Sequence, residues 1–175
     1  MADAGWLRAR IRDVDDFPTP GILYRDITPL LGDPDALRFT VDAIAEAFDG
    51  RRIDKVVGVE ARGFILAAPV AYRLGAGLVP VRKPGKLPWR TTSEQYTLEY
   101  GVDSLEMHTD ALAAGERVLI VDDVIATGGT ARATADLVAG AGATVAGLGF
   151  LVELTYLAGR EKLDGYDIVS LVVYP

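Results

Sequence analysis

Two adjacent carboxylates, Asp122 and Asp123, stand just before a small-residue turn, Ala126-Thr127-Gly128-Gly129-Thr130. An aliphatic run, Val118 to Val121, precedes the pair, and a helical pattern from about Ala131 to Ala139 follows the turn. A continuous apolar run ending in Gly-rich punctuation reads as a buried parallel strand feeding a helix. The turn then lies at a strand's C-terminal end and a helix's N-terminus. Free backbone N–H groups and the positive end of the helix dipole meet there, which makes an anion site, most naturally for a phosphate. Acids beside a phosphate cradle make sense if the ligand is a phosphorylated sugar. The turn would hold the phosphate, and the acids would accept hydrogen bonds from ribose hydroxyls or hold a hydrated Mg²⁺. Neither G-x-x-x-x-G-K-S/T nor G-x-G-x-x-G occurs in the chain. An ordinary βα unit with exposed acids is the competing reading of this stretch alone.

Two further charged loops follow strands. Lys55–Val59 reads as a short buried strand, and Glu60-Ala61-Arg62-Gly63 leads from it into a helix from about Phe64 to Leu74. Open parallel sheets bind ligands outside their carboxyl ends, so Arg62 marks a second anion site at the same sheet edge. The alternative is a solvated or ion-paired turn arginine. Leu78–Val81 is the next strand, and it delivers Arg82-Lys83-Pro84-Gly85-Lys86-Leu87-Pro88, three cations interleaved with Pro and Gly. Such a run is otherwise a solvated loop.

The remaining elements must position these loops. Ala2–Val14 reads as an amphipathic surface helix with Trp6, Leu7 and Ile11 at helical spacing. Asp16–Leu31, with three prolines and a glycine, reads as a packed loop with a short strand at Ile22–Tyr24. Asp33 or Asp35 would cap a helix running to about Asp49. Trp89–Glu94 is polar and unpatterned, and reads as a mobile segment. Gln95–Gly101 and Leu105–His108 read as hairpin arms joined by Val102–Ser104. His108 has no evident acid–base partner and reads as a surface residue. Thr144–Glu153 and Tyr166–Tyr174 are further apolar strands, separated by a short loop or helix. Strand–helix–strand alternation from Lys55 to Val152 predicts an α/β fold, a central mostly parallel sheet with right-handed crossovers flanked by helices.

Composition narrows the function classes. The 175 residues suit one domain, 1–175, with a real core, and half of them are hydrophobic. With 18 basic and 25 acidic residues, the net charge of −7 argues against a nucleic-acid surface. The absence of cysteine excludes disulfides and thiolate metal sites, and a single histidine excludes His-rich metal centres. There is no signal pattern and no apolar run of membrane-spanning length, so the cytoplasm is the expected location and no membrane partner is expected.

Together these stretches resemble the adenine phosphoribosyltransferases, within the type I phosphoribosyltransferase fold. Val118–Ala131 resembles the phosphoribosyl-diphosphate (PRPP) signature of that superfamily. Phe17-Pro18-Thr19-Pro20-Gly21 followed by Arg25-Asp26-Ile27-Thr28-Pro29 resembles the adenine-binding region. Glu60-Ala61-Arg62-Gly63-Phe64 resembles the diphosphate loop, and Arg82–Pro88 the basic loop. Leu98-Glu99-Tyr100-Gly101 resembles the end of the mobile catalytic loop. Val152-Glu153-Leu154 and Gly159–Leu163 resemble the C-terminal part. The likeness covers nearly the whole chain in order. It implies a small N-terminal hood at about 15–30 and a mobile β-hairpin loop at about 83–108.

The resemblance implies a glycosyltransferase of purine salvage and AMP biosynthesis: adenine plus PRPP gives AMP plus diphosphate, with Mg²⁺ as cofactor. Ala126, Thr127, Gly128, Gly129 and Thr130 would hold the 5′-phosphate. Asp122 and Asp123 would engage the ribose, with Mg²⁺ arriving on PRPP and held by either acid through water. Glu60, Ala61 and Arg62, with Arg82 and Lys86, would face the diphosphate. Ile22, Leu23, Tyr24 and Arg25 would bind adenine, the base stacking beside Tyr24 and the backbone near Arg25 reading its edge. Glu99 would handle the purine proton and Tyr100 would help close the site. The basic loop would reach a neighbouring subunit's site, which implies a homodimer. Three alternatives remain at this stage: a phosphoribosyltransferase for hypoxanthine, guanine or xanthine, a non-catalytic PRPP-binding regulator, and an unrelated sugar-phosphate binder. Both acids are expected at a solvent-facing strand end.

Overall fold

Alternation of apolar strands and amphipathic helices produces a doubly wound sheet. The computed structural model describes residues 4–97 and 102–175. Five strands, β3 (Lys55–Val59), β4 (Gly77–Val81), β7 (Arg117–Ile125), β8 (Thr144–Leu154) and β9 (Ile168–Tyr174), form one sheet in the order β4-β3-β7-β8-β9. Every neighbouring pair in it is parallel. Helix α4 (Arg62–Leu74) connects β3 to β4, and α5 (Gly129–Gly140) connects β7 to β8. Helix α3 (Pro34–Ala47) precedes β3, capped by Asp33, whose carboxylate accepts from the N–H groups of Asp35 and Ala36. In chain order the sheet strands run 2-1-3-4-5, so the winding reverses between β3 and β7. Ligands of such sheets sit in the crevice at that reversal, beyond the carboxyl ends of the strands.

The sheet is buried on both faces, as its unbroken aliphatic strands require. Along β7 the side chains alternate between two cores: Leu119 and Val121 pack with Leu66 and Val70 of α4, while Val118 and Ile120 pack with Ala135 and Val138 of α5. Phe48 and Phe150 are among the largest fully buried side chains. Burial at this level stabilises by about 1.5–3 kcal/mol per large side chain.

Outside the sheet, three sequence expectations give way to tertiary pairing. The N-terminal helix, α1 (Ala4–Arg8), is short. Its expected continuation is instead strand β1 (Arg12–Val14), which pairs antiparallel with β2 (Tyr24–Asp26). Ion pairs Arg12–Asp26 and Arg25–Asp13 cross this ribbon and favour the ladder over more helix. The hood strand therefore begins at Tyr24, two residues later than its apolar letters suggest. It leads into a short helix, α2 (Thr28–Gly32). Third, β5 (Thr91–Thr97) includes much of the segment that looked unpatterned, and pairs antiparallel with β6 (Val102–His108) from Thr91 opposite His108. Its polar letters hide it because β6 supplies the buried residues, Leu105 and Met107. His108 is half-buried, not on the surface, and its Nε2 lies buried with no partner among the described residues.

Candidate active site

The carboxyl ends of β3 and β7 bring the candidate site residues together. Strand β3 ends at Val59, and the turn Glu60-Ala61 passes directly into α4, so Arg62 falls in that helix's first turn. Strand β7 includes Asp122 and Asp123, and its end leads through Ala126-Thr127-Gly128 into α5. Because β3 and β7 are neighbours, the two turns face each other. They enclose a cleft of about 320 Å³ lined by Glu60, Ala61, Arg62, the two aspartates and the 126–130 turn.

A salt bridge closes the floor of this cleft. Arg62 Nε lies 2.7 Å from Asp123 Oδ2, and the Asp123 side chain is only 7% exposed. Asp122 Oδ1 accepts the backbone N–H of Asp123 at 2.9 Å. Gly63 allows α4 to approach this strand: a Cβ there would stand 2.6 Å from Asp122 Oδ1. Asp123 is thus buried and Asp122 half-buried against the helix, which corrects the expectation of a solvent-facing pair. Burial, and then the charge of Asp123, push the Asp122 carboxyl well above the ordinary carboxylate range. Burial also raises Asp123, while Arg62 opposes that shift.

The 126–130 turn is held from behind. Gly128 adopts φ 76°, and a Cβ on it would strike the carbonyl of Gly159. A Cβ on Gly159 would in turn strike the carbonyl of Ala126. These two glycines let the 3₁₀ turn Gly159–Leu163 press against the turn before α5. Arg160 fixes that 3₁₀ turn, donating to both carboxylate oxygens of buried Glu153 at 2.6 and 2.7 Å. The sequence showed Gly159 and Arg160 only as part of a C-terminal likeness; nothing local tied them to the cradle.

A second, larger cleft of about 590 Å³ opens beside the first. Ile22, Leu23, Tyr24 and Arg25 line one side of it. Val152 and Leu154, named in the sequence only within a C-terminal likeness, line another with Tyr156 and Leu157, which sequence reasoning did not single out. The two clefts share Arg62, Asp123, Val124 and Ala126. The Tyr24 ring meets Phe17 edge-on at 5.0 Å, and the Arg62 guanidinium lies over it at 5.1 Å. Arg25 directs its guanidinium elsewhere, to Asp13 and over the Tyr174 ring at 4.0 Å.

The basic loop borders the first cleft only through Glu60. Arg82 donates to Glu60 at 2.9 Å and to the carbonyl of Lys86 at 3.0 Å, and Lys86 is exposed. Neither Arg82 nor Lys86 lines a cleft. The Glu60 carboxylate also accepts the N–H of Lys83, so it anchors this loop. Glu99 and Tyr100 lie outside the described residues. Among the described residues, no group of three or more acidic, His or Cys side chains could cage a metal, and no helix is long and apolar enough to cross a membrane.

A cradle at the winding reversal of a 2-1-3-4-5 sheet, joined to an apolar cleft, is the arrangement of a phosphoribosyl-handling α/β protein. Residues 35–172 match the phosphoribosyl transferase domain. The adenine phosphoribosyltransferase of Acaryochloris marina is 58% identical over 168 residues, 96% of this chain and 99% of the relative. That of Thermobifida fusca is 59% identical over 161 residues, 92% of each chain. The crystal structure of the Thermoanaerobacter pseudethanolicus enzyme superposes with a TM-score of 0.95 at 53% identity, covering 98% of this chain and 99% of its own. The Saccharomyces cerevisiae enzyme, solved with an imino-altritol bisphosphate and adenine, gives 0.91 at 40% identity over 97% of this chain and 98% of its own. The chain belongs to the adenine phosphoribosyltransferase family.

Proposed function

We propose that the chain transfers the 5-phosphoribosyl group of PRPP to N9 of adenine, giving AMP and diphosphate in purine salvage. The observation that carries this reading is the wall shared by the two clefts, which would place a base and a sugar phosphate in contact. Displacement at C1′ passes through an oxocarbenium-like state with an anionic leaving group. Positioning and electrostatics do most of such work.

In this reading the N–H groups of Ala126 to Thr130, helped by the Thr127 and Thr130 hydroxyls, hold the 5′-phosphate at the N-terminus of α5. Asp122 and Asp123 accept the ribose hydroxyls. Two adjacent acids without a third are too few for a protein cage. They suit Mg²⁺, which keeps its waters and is held largely by substrate phosphates. The ion would bind between PRPP and one of these acids through water, and would offset charge on the diphosphate.

Arg62 and the Ala61 turn stabilise the departing diphosphate. The cations of Arg82 and Lys86 join from a neighbouring subunit, in a homodimer. Their position outside this chain's own clefts supports that arrangement, as do the exposed apolar side chains Ile65, Tyr72 and Leu78 on α4 and the edge strand β4. Glu99 takes the N9 proton as the bond forms, and Tyr100 helps exclude water. Adenine lies against Tyr24, with Ile22, Leu23 and the backbone around Arg25 reading its edge. Backbone readout rejects a 6-oxopurine, which offers an acceptor where adenine offers a donor and leaves buried groups unpaired.

The test is turnover with PRPP and Mg²⁺ of adenine, hypoxanthine and guanine in parallel. Adenine should win by more than about a hundredfold in kcat/KM. Preference for a 6-oxopurine, or PRPP binding without nucleotide formation, would overturn the reading.

A further inference from the structure

We infer that Tyr96 is a positioning residue for the 5′-phosphate, its phenol setting the Thr130 hydroxyl that meets that group. This deepens the reading above and rests on its assignment of the 126–130 turn to the phosphate. Thr130 lines the first cleft and is the second residue of α5. Its main chain is tied into that helix, where its carbonyl accepts the Thr134 hydroxyl at 2.8 Å. Its own hydroxyl lies 3.5 Å from the Tyr96 hydroxyl, its sole hydrogen-bond partner among the described residues.

Tyr96 itself lines neither cleft. It belongs to β5, and its ring packs against the core on the α5 side of the sheet. It stands directly opposite Asp103 in the hairpin register, which brings its hydroxyl to 3.3 Å from Asp103 Oδ2. Lys83 Nζ lies 2.9 Å from the same oxygen, and the Ser104 N–H donates to Oδ1 at 2.9 Å. A line of side chains, Thr130, Tyr96, Asp103 and Lys83, thus runs from the first turn of α5 through the hairpin to the basic loop.

The chemistry of a hydroxyl gives this line its role. Thr130 has one hydroxyl proton. When that proton is donated to a phosphate oxygen, the Thr130 lone pairs are left to accept, and the Tyr96 phenol is the donor placed beside them. Burial raises the phenol above its ordinary value of 10.0, so it keeps its proton through the working range. The Lys83 hydrogen bond holds the Asp103 carboxyl below its usual range, which keeps it an ionised acceptor. The contacts of 3.3 and 3.5 Å both exceed an optimal O–H···O length, so the phenol is committed to neither oxygen and can serve Thr130. Donation from Tyr96 polarises the Thr130 O–H and strengthens its bond to an anion. It also selects between the two χ1 rotamers open to a helical threonine. The competing role is structural, a phenol that only fastens the hairpin to α5.

The experiment compares Tyr96→Phe, which keeps the ring and removes the hydroxyl, with Thr130→Val and with the double variant. Calorimetry reads the Kd of ribose 5-phosphate, and steady-state kinetics read PRPP and adenine. Tyr96→Phe should raise the Kd of ribose 5-phosphate and the KM for PRPP about three- to tenfold, with kcat and the KM for adenine within about twofold of wild type. Thr130→Val should weaken sugar-phosphate binding at least as much. The double variant should bind no more weakly than Thr130→Val, because the phenol acts only through that hydroxyl. Additive losses overturn the inference. So does weakened binding in Thr130→Val with Tyr96→Phe like wild type, and so does a fall in kcat for Tyr96→Phe with sugar-phosphate affinity unchanged. Unchanged ribose 5-phosphate binding in all three variants would overturn the phosphate assignment beneath it, and the inference with it.

Discussion

Arg62 Nε and Asp123 Oδ2 meet at 2.7 Å, joining the first turn of α4 to strand β7 at the winding reversal of the sheet. The pair lines both clefts, the one proposed for the sugar phosphate and the one proposed for the base. Asp123 therefore has a structural partner as well as a proposed ligand. Asp123→Asn should lower kcat/KM for PRPP on the order of a hundredfold and lower stability by about 1–2 kcal/mol, since the guanidinium loses a charged acceptor. Steady-state kinetics and urea titration read the two effects separately. Unchanged PRPP kinetics would refute a role in the ribose site.

Gly159→Ala places a methyl group against the Ala126 carbonyl, at the start of the phosphate turn. The turn must shift, and with it the N–H groups that are to meet the 5′-phosphate. We expect the KM for PRPP to rise by about tenfold or more while the KM for adenine changes far less. Equal effects on both substrates would indicate general unfolding of the site.

The Glu153–Arg160 pair holds the same 3₁₀ turn from the other side. The Arg160 hydrogen bonds hold the Glu153 carboxyl below its ordinary value of 4.5. A depressed folded-state pKa gives stability that is present above the unfolded value and is lost as pH falls through the lower folded value. Arg160→Ala should therefore cost about 2–3 kcal/mol at pH 7, a figure reduced for the half-exposed arginine, and less at a second, strongly acidic pH as Glu153 takes up its proton. Urea midpoints for both proteins at the two pH values check the sign. A larger deficit at low pH would contradict it.

Glu99→Ala should lower kcat by roughly a hundredfold or more and leave PRPP affinity unchanged, if the carboxylate takes the purine proton. Pre-steady-state mixing and PRPP binding by calorimetry separate the two quantities. A change confined to PRPP affinity would reassign the residue.

If the basic loop acts on a neighbouring subunit, two inactive variants can rescue one another. Lys86→Ala and Asp123→Asn, mixed and reassembled, would form heterodimers with one intact site. Activity should recover to roughly a quarter of wild type. Absence of recovery, with heterodimers verified by native mass spectrometry, would place the loop in its own subunit's site.

What the sequence by itself determined is what local chemistry encodes. The aliphatic run before Asp122 and the small residues after it specify a buried strand, a turn and a helix start. The expectation of an anion cradle there follows from the same letters, because backbone N–H groups at a helix N-terminus need no distant partner. The order of strands and helices was legible for the same reason.

The tertiary structure decided which loops meet. Arg62 reaches Asp123 only because β3 lies beside β7, and Gly159 supports Gly128 only because the chain returns after β8. The base cleft joins the hood to the 3₁₀ turn near the other end of the chain. The extra hood strand at Arg12–Val14 and the polar strand at Thr91–Thr97 exist because a partner strand satisfies their backbone groups. Periodicity reports a residue's own face and period; it carries no record of which distant backbone or charge will complete it.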